Sequence, residues 1–346
     1  MRFRAENITA SASSNPRLGL EVTNRCNSAC IHCFAGTGSG ASAQIPTEVA
    51  KDILLEGYSA AYRHLHITGG EPLLYDAIFE ILDYALDLGY ETMLVNTNGL
   101  LLTGRICRML ADYPGLAVTI SLEGTALLHE RFRGTGSHKQ VLTGLENAIA
   151  AGLEVIVFAT AAKSLLPELP EFADFLVSRF PGIKYLTLIR LVTAAGPTFL
   201  LEEEFLDPGD FLGLANMVAL INLYGLRTQL LNDPLINVVS RKLGMPWTPK
   251  SSDLDLEGSL MVGADLSVRS SHAGRHNYDN YAPGSIAKIL VSDQYRQASE
   301  PDSQICPACG YVELCRASGL YRPATWHLPG KHDSSYCKNV LDLLGR

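Results

Sequence analysis

The chain has 346 residues, 47% of them hydrophobic, enough to bury a sizeable core in one large domain or two ordinary ones. Its formal net charge of −8, with no run rich in Lys and Arg, excludes a phosphate backbone as a natural partner, so no nucleic acid is expected. No run of about 18 apolar residues occurs, which excludes a spanning helix. Residues 1–16 form a polar tail with neither signal peptide nor lipid anchor, so no membrane is expected and the chain reads as cytoplasmic.

Between residues 18 and 190 short apolar runs alternate with longer amphipathic segments. Residues 18–23, 65–68, 92–96, 117–121, 154–159 and 185–189 read as buried strands, and residues 47–62, 77–88, 103–113, 140–151 and 169–180 carry apolar residues at helical spacing. Strands that alternate with helices imply parallel pairing through right-handed crossovers, a pattern shared by open doubly wound sheets and partial barrels. Loops after parallel strands are where α/β folds hold ligands. Polar groups gather where the apolar runs stop: Thr23, Gly69-Gly70-Glu71-Pro72, Asn96-Thr97-Asn98-Gly99, Ser121-Leu122-Glu123-Gly124 and Arg190.

The eight cysteines fall in three places. Cys26, Cys30 and Cys33 follow the first strand, Cys107 lies alone in a helical pattern as a buried inert thiol, and Cys306, Cys309, Cys315 and Cys337 close the chain. In a cytoplasmic chain, clustered cysteines point to metal or chemistry rather than disulfides. Three thiols in one short loop can bind three irons of a cubane cluster, leaving the fourth iron open to a small chelating molecule. A tetrahedral zinc site recruiting His32 is the alternative, and the odd local count disfavours a disulfide framework. The paired glycines before Glu71 permit positive φ and close backbone approach; taken alone, they fit a tight turn with a solvated Glu.

Cys26-x3-Cys30-x-His32-Cys33 after a first strand resembles the signature of the radical S-adenosylmethionine (radical SAM) superfamily. Gly69-Gly70-Glu71-Pro72 resembles the segment that in this family holds the amino group of the cofactor's methionine. The resemblance implies a partial (β/α)6 TIM-like barrel with its site at the C-terminal strand ends. It also implies a 4Fe-4S cluster with an open site on Cys26, Cys30 and Cys33, S-adenosylmethionine (SAM) as cofactor, and a low-potential flavodoxin- or ferredoxin-like electron donor as partner. The SAM contacts it implies are His32, Gly69, Gly70, Glu71, Pro72, Asn98, Ser121 and Arg133. His32 stands where the family has a ring packing on adenine, and Ser121 and Arg133 would lie near the ribose and carboxylate. The plain readings are a loop filler for His32, a turn for Asn98-Gly99 and an ion pair with Glu130 for Arg133. Glu123, where many members have Asp, and Arg190 are the catalytic candidates; Lys163, Arg269 and His272 are further candidates for substrate contact.

From residue 197 the alternation stops. Residues 207–223 read as one more helix, 226–257 as a polar connector around Trp247 with Asn232 and Asp233 unassigned, and 258–267 as a hairpin. Four cysteines would saturate a zinc site. Cys306-x2-Cys309-x5-Cys315 with Cys337 also resembles the SPASM/Twitch-type extension of radical SAM enzymes, as do the hairpin, Gly284-Ser285-Ile286 and a helix over 292–298. Ser270-Ser271 and Gly319 stand where a full extension has cysteines, so one auxiliary 4Fe-4S cluster is expected, on Cys306, Cys309, Cys315 and Cys337. The domains are then a tail (1–16), the partial barrel (17–225), the connector (226–257) and a small C-terminal iron–sulfur domain (258–346).

The implied activity is reductive cleavage of SAM to a 5'-deoxyadenosyl radical that takes hydrogen from a substrate carbon, an oxidoreductase or lyase chemistry. One substrate class is a small polar natural-product intermediate, such as a sugar or nucleoside, undergoing dehydrogenation, decarboxylation or elimination. The other is a ribosomally synthesised peptide, modified by a maturase. The short tail leaves no room for a fused leader-binding domain, and one missing auxiliary cluster removes an acceptor for a substrate electron, so the small molecule is the expected class. A non-catalytic zinc-binding protein is the remaining alternative.

Overall fold

The computed structural model describes residues 16–33, 35, 42–191, 198–231, 233–245, 259–269, 277–299, 309–315 and 334–345. In chain order β1 (Arg17–Thr23), α1 (Thr47–Ser59), β2 (His64–Gly69), α2 (Ile78–Leu88), β3 (Thr92–Thr97), α3 (Gly104–Ala111) and β4 (Leu116–Ser121) come first. They are followed by α4 (Ala126–Arg133), α5 (Ser137–Ala150), β5 (Glu154–Ala161), α6 (Leu169–Arg179), β6 (Ile183–Arg190), α7 (Pro208–Leu223), β7 (Thr228–Leu231) and α8 (Leu235–Lys242). The remainder comprises β8 (Leu260–Val262), β9 (Ser267–Arg269), β10 (Asn277–Asn280), α9 (Ser285–Leu290), α10 (Asp293–Ser299), α11 (Val312–Cys315) and α12 (Ser334–Leu344).

All strands join one sheet in the order β10-β9-β8-β1-β2-β3-β4-β5-β6-β7. The pairs from β1 to β7 are parallel, with Leu18 opposite Leu65 and Leu20 opposite Ile67 in the first. Because β1 to β7 follow one another without reversal, right-handed crossovers put the helices between them on the same face, and the other face turns inward as in a β/α barrel left open. Burial on both faces follows: the first five residues of β4 are buried, as parallel strands require. Local chemistry sets the helix ends. Gly89, at φ +97, stops α2, and the reciprocal capping box of Asp207 and Asp210 with Pro208 at the first position starts α7.

Three elements, β7, α8 and α4, differ from the sequence reading. Residues 226–257, read as a connector, contain β7 and α8; β7 is only four residues long, too short for an alternating pattern to register. The helix α4 was not anticipated, because it buries only Leu128, His129 and Phe132, a narrow and partly polar stripe. Asn232, Trp247, Ser270, Ser271, His272, Cys306 and Gly319 lie outside the described residues.

The C-terminal segment grips both edges of the sheet. At one edge β8 pairs in parallel with β1, and β9 and β10 continue antiparallel. There Ser259 Oγ accepts from Arg17 N at 3.0 Å, Arg269 pairs with Glu21, and Glu56 on α1 accepts from Tyr281 Oη at 2.9 Å and caps the start of α9 through Gly284 N. At the other edge α11 and α12 pack on α7 and α8. No helix among the described residues is long and apolar enough to cross a membrane.

Candidate active site at the strand ends

The cysteine loop leaves β1 at Thr23, whose hydroxyl donates to Ala43 O at 3.2 Å and accepts from Arg25 N at 3.1 Å. The exit of β2 lies directly against it: Gly70 N donates to Thr23 O at 2.7 Å and Glu71 N to Arg25 O at 2.8 Å. A Cβ on Gly69 would sit 2.2 Å from Thr23 O, one on Gly70 would sit 2.1 Å from Arg25 O, and Gly69 has φ +130. The glycine pair therefore serves the contact between the two loops. Gly70→Ala is expected to lower stability by about 1–3 kcal/mol, the usual cost of overpacking, and to displace the cysteine loop; a thermal unfolding midpoint equal to the wild type would contradict this.

Glu71 is fully buried, not the solvated acid of the plain reading. Its Oε1 accepts from Leu73 N at 3.1 Å and Thr97 Oγ1 at 2.8 Å, and its Oε2 from Asn98 N at 2.8 Å, which ties the ends of β2 and β3. Burial pushes its carboxyl up to about 7 in spite of these bonds. Pro72 opens the short 3-10 turn Pro72–Leu74 beyond it. Asn98 does more than turn the chain. Its Nδ2 reaches Asn27 Oδ1 at 2.7 Å and Ser28 Oγ at 3.2 Å and lies 3.9 Å from Cys26 Sγ, while its Oδ1 accepts from Leu100 N at 3.0 Å.

On the far side of the loop, Glu123 is a buried hub, 2% exposed. Its Oε1 accepts from Arg133 Nε at 2.8 Å and Nη2 at 2.6 Å, and Oε2 accepts from Thr160 N at 2.6 Å. His32 Nε2 lies 3.3 Å from the same Oε1. Burial favours the neutral acid, but the Arg133 guanidinium and His32 outweigh it and hold the carboxyl well below the usual carboxylate range. Arg133 thus pairs with Glu123 and not with Glu130, and its Nη1 is 3.7 Å from Cys30 Sγ. Ser121, half-buried, ends β4.

His129 accepts from Glu123 N through Nδ1 at 3.1 Å. Burial, with Arg133 close by, holds its imidazole down to about 3 from an ordinary 6.5. The folded chain therefore keeps His129 neutral while the unfolded chain takes up a proton, so this contribution to stability is complete above pH 6.5 and is lost as pH falls toward 3. In the metal-free protein, His129→Asn, whose amide oxygen can accept the same bond, is expected to flatten the loss of urea resistance between neutral pH and pH about 5. An unchanged slope would contradict the assignment.

Three thiols on one loop are the donor set of an iron–sulfur cluster. Burial pushes the Cys26 thiol up to about 11 and also raises that of Cys30, so ionisation of these sulfurs calls for cationic charge at the loop, which iron supplies. Amide and guanidinium N–H groups already face two of the sulfurs. Among the described residues no three Cys, His, Asp or Glu side chains converge on a single ion.

The other candidates lie elsewhere. Arg190, at the end of β6, pairs through Nε with Asp233 Oδ2 at 2.8 Å and sits over the rings of Phe211 and Tyr336. Asp233 had no role assigned from sequence; no pattern around it separates a buried partner from a loop acid. Lys163 pairs with Asp207 and Asp210, and Arg269 with Glu21. Cys107 is fully buried on α3. Cys309, Cys315 and Cys337 are part-buried, with Cys315 ending α11 and Cys337 on α12.

An open barrel of sequential parallel strands, with three thiols and buried carboxylates gathered at the strand ends, defines a cofactor-dependent enzyme of the β/α class. Residues 20–176 match the family model of the Radical SAM superfamily. The chain is 30% identical over 316 residues to the mycofactocin maturase MftC of Mycobacterium ulcerans, across 86% of this chain and 81% of that one. It belongs to the radical SAM superfamily, and membership implies a 4Fe-4S cluster and SAM. To MftC of Mycobacterium tuberculosis it is 33% identical over 175 residues, 50% of this chain but only 44% of that relative's length. An AdoMet-dependent heme synthase of Methanosarcina barkeri is 31% identical over 200 residues, 57% of this chain and 56% of that one. Among solved structures, native anSMEcpe with bound AdoMet and Cp18Cys peptide shares the fold at a TM-score of 0.69 and 16% identity, over 95% of this chain and 99% of that one.

Proposed function

We propose that this chain is a maturase that modifies a ribosomally made peptide by radical SAM chemistry. The observation that carries the reading is the extent of the MftC likeness, 86% of this chain and 81% of that relative, more than the barrel strands and helices alone could supply. The likeness favours the peptide alternative over the small-molecule expectation. That expectation rests on the short N-terminal tail and on the missing auxiliary cluster, and a separate leader-binding partner would answer the first of these.

In this reading Cys26, Cys30 and Cys33 hold the cluster. A cluster and SAM bound there would supply radical chemistry able to take a hydrogen atom from a substrate carbon. The chain's own residues position and shield. Gly69 and Gly70 bring the β2 exit within hydrogen-bonding reach of the loop, Glu71 and Asn98 brace it from one side, and Glu123, Arg133 and His32 from the other. Ser121 and the backbone of 69–72 are the groups offered to SAM. A flavodoxin- or ferredoxin-like donor supplies electrons. Cys306, Cys309, Cys315 and Cys337 would hold one auxiliary 4Fe-4S cluster; of these, Cys315 and Cys337 lie on the helices that pack on α7 and α8.

A second reading, a small-molecule substrate, is supported by the heme synthase likeness. Anaerobically reconstituted protein, supplied with SAM, reductant and in parallel a panel of ribosomal precursor peptides, a porphyrin and a sugar, separates the two. A mass change on a peptide with matching 5'-deoxyadenosine is expected. Turnover of a porphyrin or sugar, with the peptides untouched, would overturn the peptide reading.

A further inference from the structure

One oxygen of Glu123 gathers Arg133 and His32 on one side of the cysteine loop. Arg133 gives it both Nε, at 2.8 Å, and Nη2, at 2.6 Å. A guanidinium is planar and rigid, so fixing two of its nitrogens fixes the third. That third nitrogen, Nη1, points at Cys30 Sγ from 3.7 Å. His32, between Cys30 and Cys33, sets Nε2 3.3 Å from the same oxygen, and its ring meets Phe132 edge-on at 5.1 Å. Ile31 N donates to Phe132 O at 3.0 Å, so the loop is also tied to α4 next to Arg133. The other carboxylate oxygen is anchored on β5 by Thr160 N at 2.6 Å.

The length of the acid matters in this arrangement. A glutamate spans from the β4 exit to Thr160 N with one oxygen and to Arg133 and His32 with the other; an aspartate is one methylene shorter and keeps the charge without the span. We propose that Glu123 is a positioning residue, which clamps Arg133 so that an N–H reaches the Cys30 sulfur and raises the reduction potential of the cluster ligated there. An N–H directed at a ligating sulfur withdraws charge from it and stabilises the reduced cluster, one of the main levers a protein has on such potentials. The proposal rests on reading Cys26, Cys30 and Cys33 as the cluster ligands, and adds what sets that cluster's electronics.

The test is a redox titration followed by EPR on reconstituted wild type, Glu123→Asp and Arg133→Lys, with iron content measured on each. Both substitutions keep the net charge, so a shift reports the lost clamp rather than a changed field. Wild-type iron content and a more negative midpoint potential in both variants are expected. Pulsed EPR on wild-type protein labelled with heavy-nitrogen arginine, without SAM, is expected to show coupling of an arginine nitrogen to the reduced cluster, lost in Arg133→Lys. Full iron content with unmoved potentials, or no arginine coupling in the wild type, overturns the clamp. Should the variants fail to hold a cluster, the wild-type coupling alone decides. A wild-type chain that takes up no iron overturns the ligand reading and the clamp with it.

Discussion

Cys30→Ala is expected to abolish SAM cleavage. In the proposed ligand set each of the three loop thiols would hold a separate iron, so removing one would leave two anchors and two open irons, and the cluster would be lost or degraded on reconstitution. The fall in 5'-deoxyadenosine formation should exceed the roughly 10–100-fold loss that follows removal of a group merely supporting a metal ligand. Cys30 also has a structural neighbour to lose, since Arg133 Nη1 faces its sulfur. The metal-free variant should still fold, because the loop is held by Thr23, Glu71 N, Asn98 and Phe132 through bonds that involve no thiol. Iron content and product yield check this together: a variant that binds wild-type iron and cleaves SAM would remove Cys30 from the ligand set. Cys107→Ala is the internal control, since that thiol is buried in the core and raised to about 11 by burial.

The second large effect is on stability. Arg190 and Asp233 are 7% and 2% exposed and 2.8 Å apart, and the guanidinium lies 5.3 Å from the Phe211 ring centre and 4.7 Å from that of Tyr336. This cluster joins the end of β6 to α7 and α12. Asp233→Ala takes the counter-charge from a buried guanidinium, a loss that typically costs about 3–5 kcal/mol. Replacing both partners by apolar residues should cost much less, because no buried charge is left behind. Urea unfolding of the metal-free proteins checks this. A single variant within about 1 kcal/mol of the wild type would show the pair to be solvated and incidental.

The barrel and the chemistry were legible in sequence because both depend on local pattern. Apolar runs of four to eight residues mark β1 to β6, and Cys26, Cys30 and Cys33 stand close enough in the chain to be read as one ligand set. The glycine pair before Glu71 was legible as a close backbone approach, though which backbone it meets, Thr23 and Arg25, only the fold reveals. What escaped was long-range pairing of charge. Glu123 with Arg133 and His32, and Arg190 with Asp233, are partners brought together across strand ends from 10 to 91 positions apart. Their residue types fit catalytic and surface roles equally well until burial is known. The strand β7 escaped for another reason: a four-residue strand carries too little pattern, and only its pairing with β6 identifies it. The sheet's extension by β8 was similarly hidden, since a hairpin reads the same whether it stands alone or adds to a parallel edge.

In the proposed function the loop thiols hold a cluster with one iron open to SAM. EPR of the dithionite-reduced, reconstituted protein, recorded before and after SAM is added, tests it most directly. A reduced-cluster signal whose g values shift on SAM addition is expected in the wild type, with 5'-deoxyadenosine recovered from the same sample, and both effects absent in Cys30→Ala. A signal that SAM leaves unmoved, or that survives intact with its SAM response in Cys30→Ala, would contradict it.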